Sequence, residues 1–134
     1  MDKSSEKLST FEYAGERFAD IQMLRYRLRG FEELSLKQKS YIFCLAKATL
    51  YGRDITFDQF GEYGLVIRKV LEVVYNTTKT QTDNPEAKAL EIYLKRVWFS
   101  NGIYHHYGCE KFEPGFSSRF LREEMLKADA SQLP

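Results

Sequence analysis

The sequence is short of the residues that mark several kinds of protein. Its 134 residues include only two cysteines, two histidines, three prolines and one tryptophan. Two cysteines give no disulfide framework of the kind that holds small secreted domains together. No apolar run is long enough to cross a bilayer, so we expect no membrane-spanning segment. The net charge is only +1, which argues against a general nucleic-acid binder, since such proteins need a field of one sign.

Strings of residues that perform catalysis are equally scarce. The sequence has no H-E-x-x-H, the helical string in which two histidines four residues apart bind zinc. It also lacks the G-x-S-x-G nucleophile elbow and the phosphate-cradling strings G-x-x-x-x-G-K and G-x-G-x-x-G. We therefore expect no catalytic residue, no metal ligand and no self-sufficient active site in this chain.

The chain does have material for a core, with 43% hydrophobic and 15% aromatic residues. Its length suits one compact domain. The spacing of apolar residues predicts an all-α fold of about five helices in a compact irregular bundle, without a strong strand. Residues 1–13 are predicted to form a flexible segment, residues 14–128 the helical domain and residues 129–134 a tail.

The five predicted helices follow from apolar residues three and four apart and from capping signals. The string 35-SLKQ-38 reads as a capping box, and Asn84, Pro85 and Ser117 mark further helix starts. The stretch 53–64 is predicted to be a loop. The helices are predicted over about 14–30, 36–52, 66–74, 85–98 and 118–127.

The predicted helix over 36–52 has apolar residues around much of its circumference. A wide apolar face is typical of a central element with neighbours on more than one side. Cys44 within it is predicted to be a small buried hydrophobic residue.

The segment 98-WFSNGIYHHYGCEKFEPGF-116 gathers both histidines, six aromatic residues and three glycines. Adjacent residues point to different sides of a helix or strand, so His105 and His106 are not expected to converge on one ion. A third ligand would have to be Cys109 or Glu110. The large aromatic side chains of the segment are expected to pack in the core. They are Trp98, Phe99, Phe112 and Phe116.

The middle of the same segment has a different character. Tyr104, His105, His106 and Tyr107 combine apolar bodies with polar tips, and glycines flank them. Loops on a helical scaffold commonly carry binding residues. This stretch is therefore predicted to face a ligand.

Three stretches resemble the amino-terminal part of the dipeptidyl peptidase III family of zinc metallopeptidases, particularly its bacterial members. They are 17-RFADIQMLRYRLRGFEELSLKQK-39, 51-YGRDITFDQFGEY-63 and 91-EIYLKRVWFSNGIYHHYGCEKFEPGF-116. The last meets the pattern G-x-Y-x-x-[FY]-G-x-x-K-F-x-P, through Gly102, Tyr104, Tyr107, Gly108, Lys111, Phe112 and Pro114. The resemblance covers about Phe18 to Leu121.

The resemblance implies the amino-terminal, non-catalytic part of a larger two-lobed enzyme that releases dipeptides from the amino terminus of oligopeptides. The family holds its zinc on H-E-x-x-G-H, which does not occur in this sequence. Zinc is therefore implied for the full-length parent and no cofactor for this chain. By position in the family, Tyr104, His106, Tyr107 and Gly108 are implied to line the peptide cleft. The implied partners are the remainder of the parent enzyme and an oligopeptide substrate.

Two other interpretations stay open. The chain could be a stand-alone helical interaction module that binds through an exposed aromatic patch, or a small metal- or redox-active protein using His105, His106 and Cys109. The polar start MDKSSEKLST shows no secretory signal and favours the cytoplasm. A periplasmic or lipid-anchored protein is the alternative if a signal was removed. If the remainder of a parent is missing, we expect exposed apolar area and self-association.

Overall fold

A computed structural model describes residues 11–134, which are mostly helical. Of the segment predicted to be flexible, residues 1–10 lie outside the described part. The chain divides into two compact units, with the division between Ala48 and Thr49. Within residues 11–134, no helix has both the length and the apolar character needed to cross a membrane.

The first unit begins with a β-hairpin. Strands β1 (Ala14–Phe18) and β2 (Ile21–Leu24) are antiparallel, and a two-residue turn joins them. Phe18 lies opposite Ile21, and the register shifts between Ala14 and Arg17. The prediction of a helix over 14–30 was therefore wrong. In a hairpin with a two-residue turn, the residues that flank the turn face each other, so Phe18 and Ile21 satisfy the three-residue spacing without a helix.

Helix α1 (Leu36–Tyr51) follows a short 3₁₀ turn over Phe31–Glu33. The predicted capping box is confirmed: the Ser35 N–H donates to Gln38 Oε1 at 2.9 Å, and the Gln38 N–H donates to Ser35 Oγ at 3.4 Å. However, none of the residues of α1 is buried. The predictions that α1 is a central element and that Cys44 is buried were wrong, since Cys44 is exposed too.

The second unit contains four α-helices. They are α2 (Arg53–Gln59), α3 (Gly64–Thr78), α4 (Pro85–Ser100) and α5 (Ser118–Lys127). Helix α3 packs against each of the other three. The predicted caps are confirmed, because the Asn84 side chain accepts from the Glu86 and Ala87 N–H groups and Ser117 Oγ accepts from the Phe120 N–H.

The core of the second unit lies between α3, α4 and α5. Leu90 and Leu94 of α4 have no exposed surface, and neither has Val74 of α3. The remaining core residues come from all four helices and from the loop before α5. They are Phe57, Leu71, Ala87, Val97, Phe116 and Phe120.

Helix α2 corrects the prediction of a loop over 53–64. Its side chains contact α3: Phe57 is 1% exposed, and the Arg68 guanidinium carbon lies 4.8 Å from the Phe57 ring centroid. Arg68 Nη2 also lies 2.9 Å from Asp54 Oδ1. These tertiary contacts stabilise a short helix whose own residues, rich in Asp, Thr and Ile, have modest helix propensity.

The prediction of about five helices thus agrees in number with the five α-helices of the described residues, but not in every position. One predicted helix is a hairpin, and one predicted loop is a helix. The expectation of no strong strand was wrong for β1 and β2.

Candidate functional site

The loop between α4 and α5 forms a small antiparallel hairpin. Asn101, with a φ of 55°, ends α4 in the left-handed conformation. The Phe112 N–H then donates to the Ile103 carbonyl at 2.8 Å, and Tyr104 pairs with Lys111 as an antiparallel bridge. This pairing orients Tyr104 and Lys111 as neighbours.

A hollow of about 330 Å³ lies beside this hairpin. One wall is the hairpin itself, and the other is the connection from α2 to α3, with the first residues of α3. The volume falls within the range of about 300 to 1,000 Å³ typical of small-molecule sites. The lining residues are Phe60, Gly61, Glu62, Tyr63, Gly64, Ile67, Gly102, Ile103, Tyr104 and Lys111.

Gly61 and Gly102 lie where the two walls meet, and Gly64 lies where α3 begins. A Cβ at Gly102 would lie 3.4 Å from the Phe60 ring, and one at Gly61 would lie 4.0 Å from the Tyr104 ring. A Cβ at Gly64 would overlap the Phe57 carbonyl oxygen. Gly64 is therefore required for α3 to start directly beside the end of α2.

The hollow combines an apolar interior with one group of each charge. Phe60, Ile67 and Tyr104 supply apolar and aromatic surface, while Glu62 and Lys111 supply a carboxylate and an ammonium group. Lys111 Nζ lies 5.7 Å from the centroid of the Tyr104 ring, a cation–π distance that holds the ammonium group over that side chain. Such a lining can contact an apolar side chain and the polar backbone of a peptide together.

The two histidines occupy the turn at the tip of the hairpin. The Gly108 N–H donates to the His105 carbonyl at 3.1 Å, which closes a four-residue turn. The imidazole rings of His105 and His106 stack with their centroids 4.5 Å apart. Adjacent side chains point to different sides in helices and strands, but these two residues lie in a turn, where their rings can stack.

Each histidine has further neighbours. The Tyr107 N–H donates to His105 Nδ1 at 3.3 Å, so this nitrogen accepts a hydrogen bond. His106 packs edge-on against Phe99, with centroids 5.0 Å apart. Its buried Nδ1 has no hydrogen-bond partner among residues 11–134. The two imidazole rings therefore pack against each other, and His106 also packs against Phe99.

Of the four residues implied to line a cleft, one lines this hollow. Tyr104 lines the hollow, whereas His106, Tyr107 and Gly108 are not among its lining residues. Tyr107 is 89% exposed at the tip of the hairpin. Gly108 lies beside the Glu110 side chain.

Sequence reasoning missed the wall formed by residues 60–64 and the role of Lys111. The signal that could have found this wall is the string 60-FGEYG-64, in which glycines alternate with aromatic residues and an acid. Glycines beside aromatic residues are also the feature that made residues 102–108 a candidate binding loop. Two glycine-bracketed aromatic loops in one small helical domain are a reason to test whether they meet.

The expected burial of the four loop aromatics is only partly correct. Phe116 is buried and packs edge-on against Tyr93, with centroids 5.6 Å apart. Phe112 is half-buried, and the centroid of its ring lies 5.5 Å from the Arg96 guanidinium carbon. Trp98 and Phe99 each expose about two fifths of their surface to solvent.

The described residues provide no set of ligands that fits zinc. Across residues 11–134, no group of three or more histidine, cysteine or acidic side chains is placed to hold a metal ion. Cys109 is exposed, as is Cys44.

Comparison with known proteins adds no family to this geometry. No protein-family model matches the chain, and no curated protein matches it.

Proposed function

We propose that this chain is a non-catalytic, peptide-binding part of a dipeptidyl peptidase III-like zinc metallopeptidase with two lobes. In that enzyme it contributes one wall of the cleft that holds an oligopeptide substrate, and the zinc ligands belong to another part. The observation that carries the proposal is the position of Tyr104, which belongs to the family-like pattern and also lines the hollow.

The composition of the hollow supports a peptide as the ligand. A peptide offers an apolar side chain for the aromatic surface, together with carbonyl and N–H groups for Lys111 and Glu62. The hollow is also open at the surface of a hairpin, where an extended chain can lie across it.

Peptide binding is tested by titrating the chain with tetrapeptides that carry an aromatic or a small second residue, followed by amide chemical shifts. We expect shifts of the amides of residues 60–64 and 102–104. Tyr104→Ala should weaken binding about tenfold, or about 1.4 kcal/mol. Tyr107→Ala is the matched control, since it removes a tyrosine from the same hairpin but outside the hollow. Equal losses in both variants, or shifts confined to other residues, would contradict the proposal.

The absence of catalysis is tested with dipeptidyl arylamide substrates and added zinc. We expect no hydrolysis by the purified chain. Turnover that a chelator abolishes would overturn the non-catalytic assignment. Whether the encoding reading frame continues into H-E-x-x-G-H tests the parent enzyme directly.

A second candidate function is favoured by α1. This helix exposes large apolar side chains that are typical of a protein-interaction surface. The chain would then be a stand-alone interaction module. An encoding frame that ends at Pro134 would favour the module over the peptidase part.

A further inference from the structure

The two histidines hold the tip of the hairpin between α4 and α5 through three contacts. The Tyr107 N–H donates to His105 Nδ1 at 3.3 Å. The imidazole rings of His105 and His106 stack with centroids 4.5 Å apart, and the His106 ring meets Phe99 of α4 edge-on at 5.0 Å. The tip is therefore attached both to its own turn and to α4.

These contacts require uncharged imidazole rings. A ring nitrogen that accepts a hydrogen bond carries no proton, so His105 holds its proton on Nε2. A proton added to His105 Nδ1 would place two donors face to face and break the bond from Tyr107. His106 Nδ1 is buried and has no hydrogen-bond partner among residues 11–134. A proton added there would leave a buried donor of a charged ring without an acceptor, which is costly.

Helix α4 contributes charged groups beside the rings. The Arg96 guanidinium carbon lies 5.5 Å from the centroid of the Phe112 ring, and His105 packs edge-on against the same ring with centroids 6.0 Å apart. Lys95 is paired with Glu91 at 2.6 Å. A proton on His105 would also repel a proton on His106, because the rings stack.

The hairpin itself, residues 102–112, contains one charge of each sign besides the histidines. The ammonium group of Lys111 lies over the Tyr104 ring, and Glu110 supplies the carboxylate. Tyr104, Tyr107 and Cys109 are titratable as well, but they gain no positive charge in acid. Histidine is the side chain that takes up a proton between about pH 8 and pH 5, and the chain has only these two.

We propose that the stacked histidine pair is a pH-sensitive switch, in which neutral rings hold the tip against α4 and protonation in mild acid releases it. In the released tip both rings face water and accept protons without the costs described above, so acid favours release. Tyr104 and Lys111 pair next to the turn and also line the hollow. Release should therefore loosen one wall of the hollow. This consequence for peptide binding rests on the proposed function, whereas release of the tip does not.

The geometry of the rings disfavours a shared metal ion as the role of the pair. An ion bound by an imidazole nitrogen lies about 2 Å from that nitrogen, in the plane of the ring. The planes of the His105 and His106 rings are stacked and only 25° from parallel. No position close to both rings therefore lies in both planes.

The test follows the contact between the His106 and Phe99 rings by NMR of the whole chain from about pH 7.5 to about pH 5. We expect nuclear Overhauser effects between the two rings at the higher pH and their loss at the lower pH. The edge-on contact between Phe116 and Tyr93 in the core should persist throughout, which shows that the second unit stays folded. Retention of the His106–Phe99 contact in acid, or loss of both contacts together, would overturn the proposal.

Two substitutions remove the proton-binding rings while keeping their contacts. His106→Phe retains an aromatic ring against Phe99, and His105→Asn retains a side-chain acceptor for the N–H group two residues later. The Gly108 N–H donates to the His105 carbonyl, so its protection from exchange reports closure of the turn. Between the two pH values this protection factor should fall about tenfold, or about 1.4 kcal/mol, in the unaltered chain and stay constant in the double variant.

Glu110→Gln is the matched control, because it removes the other group of the hairpin that titrates in acid. It should leave the loss of protection between the two pH values unchanged. An acid response that survives in the His105→Asn/His106→Phe variant, or one that Glu110→Gln abolishes, would show that the histidines are not the switch.

Discussion

Helices α1 and α4 have the same length of 16 residues but opposite environments. In α4 the apolar residues fall three and four apart, and Leu90 and Leu94 are completely buried. In α1 the six residues Tyr41–Ala46 form one unbroken apolar run that points around the helix, yet no residue of α1 is buried. The comparison teaches that two helices with similar apolar content, each with a side-chain cap, can differ completely in burial. The arrangement of apolar residues, together with what packs on them, decides the stability that each helix contributes.

The largest expected difference in the free energy of unfolding is between two leucine-to-alanine substitutions, one in each helix. Leu94→Ala should lower the free energy of unfolding by about 3 kcal/mol, because it leaves a cavity in a closed core. Leu45→Ala in α1 should change it by less than about 0.5 kcal/mol, since Leu45 is already half-exposed. Urea denaturation of both variants measures the difference. A costly Leu45→Ala would show that α1 is covered in solution.

Two arginines extend the comparison of buried and exposed side chains to charged residues, and Arg68 is the buried one. It is 4% exposed, lies over the Phe57 ring and pairs with Asp54. Arg68→Ala should lower the free energy of unfolding by about 2 kcal/mol, through loss of the cation–π contact and of the buried stem. Arg119→Ala, which breaks the exposed pair with Glu123, should leave the urea midpoint unchanged. Equal midpoints for the two variants would refute the structural role of Arg68.

Removing a helix cap should have a smaller effect on the free energy of unfolding. The effect should again differ between α4 and α1. Asn84→Ala should lower the free energy of unfolding by about 1 kcal/mol, because two N–H groups at the start of α4 lose their acceptor. Ser35→Ala removes part of the capping box of α1. We expect it to speed amide exchange in α1 while leaving the main unfolding transition in place, since α1 has few buried contacts. Loss of exchange protection in α4 on Ser35→Ala would contradict this separation.

The smallest expected effect depends on pH and concerns the start of α5. Hydrogen bonds from the Ser117 hydroxyl and then from its backbone N–H lower the pKa of Glu86 below its usual 4.5. The Ser117 N–H lies 2.9 Å from Glu86 Oε1. A lowered pKa in the folded state means that the carboxylate stabilises the fold above pH 4.5. This contribution is lost as the pH falls through the lowered value.

Glu86→Gln should therefore reduce the melting temperature slightly at neutral pH, and the difference from the unaltered chain should disappear in acid. Thermal unfolding over a pH series measures it. In a Ser117→Ala background the same substitution should have a smaller effect, because the two residues interact. A difference that grows in acid would show that the sign is wrong.

Much of the second unit could be predicted from sequence because its signals are local. Asn84 and Ser117 cap helices by contacts within three residues, and the period of α4 matches its burial. The hairpin over β1 and β2 could not be distinguished from a helix, because Phe18 and Ile21 fit both periods. Its turn at Ala19, with a φ of 48°, lacks the Asn-Gly or Asp-Gly signal that would have revealed it.

The candidate site was predictable only in part for the same reason. The aromatic loop around Tyr104 stands out in sequence, and Tyr104 does line the hollow. The opposite wall, including Glu62, is about 40 residues away along the chain. Its position depends on the packing of α2 against α3, including the contact between Phe57 and Arg68, which are eleven residues apart. Contacts of that kind leave no periodic signal.

The one tryptophan of the chain, Trp98, stands at the contact between α3 and α4. Its indole Nε1–H donates to Glu72 Oε1 at 2.8 Å, and its ring meets Tyr75 edge-on with centroids 6.3 Å apart. Since the side chain is partly exposed and hydrogen-bonded to a carboxylate, its emission colour and quenching should respond when these two helices separate. The molecule thus contains its own optical reporter of the second unit, and the urea titrations described above need no dye or label.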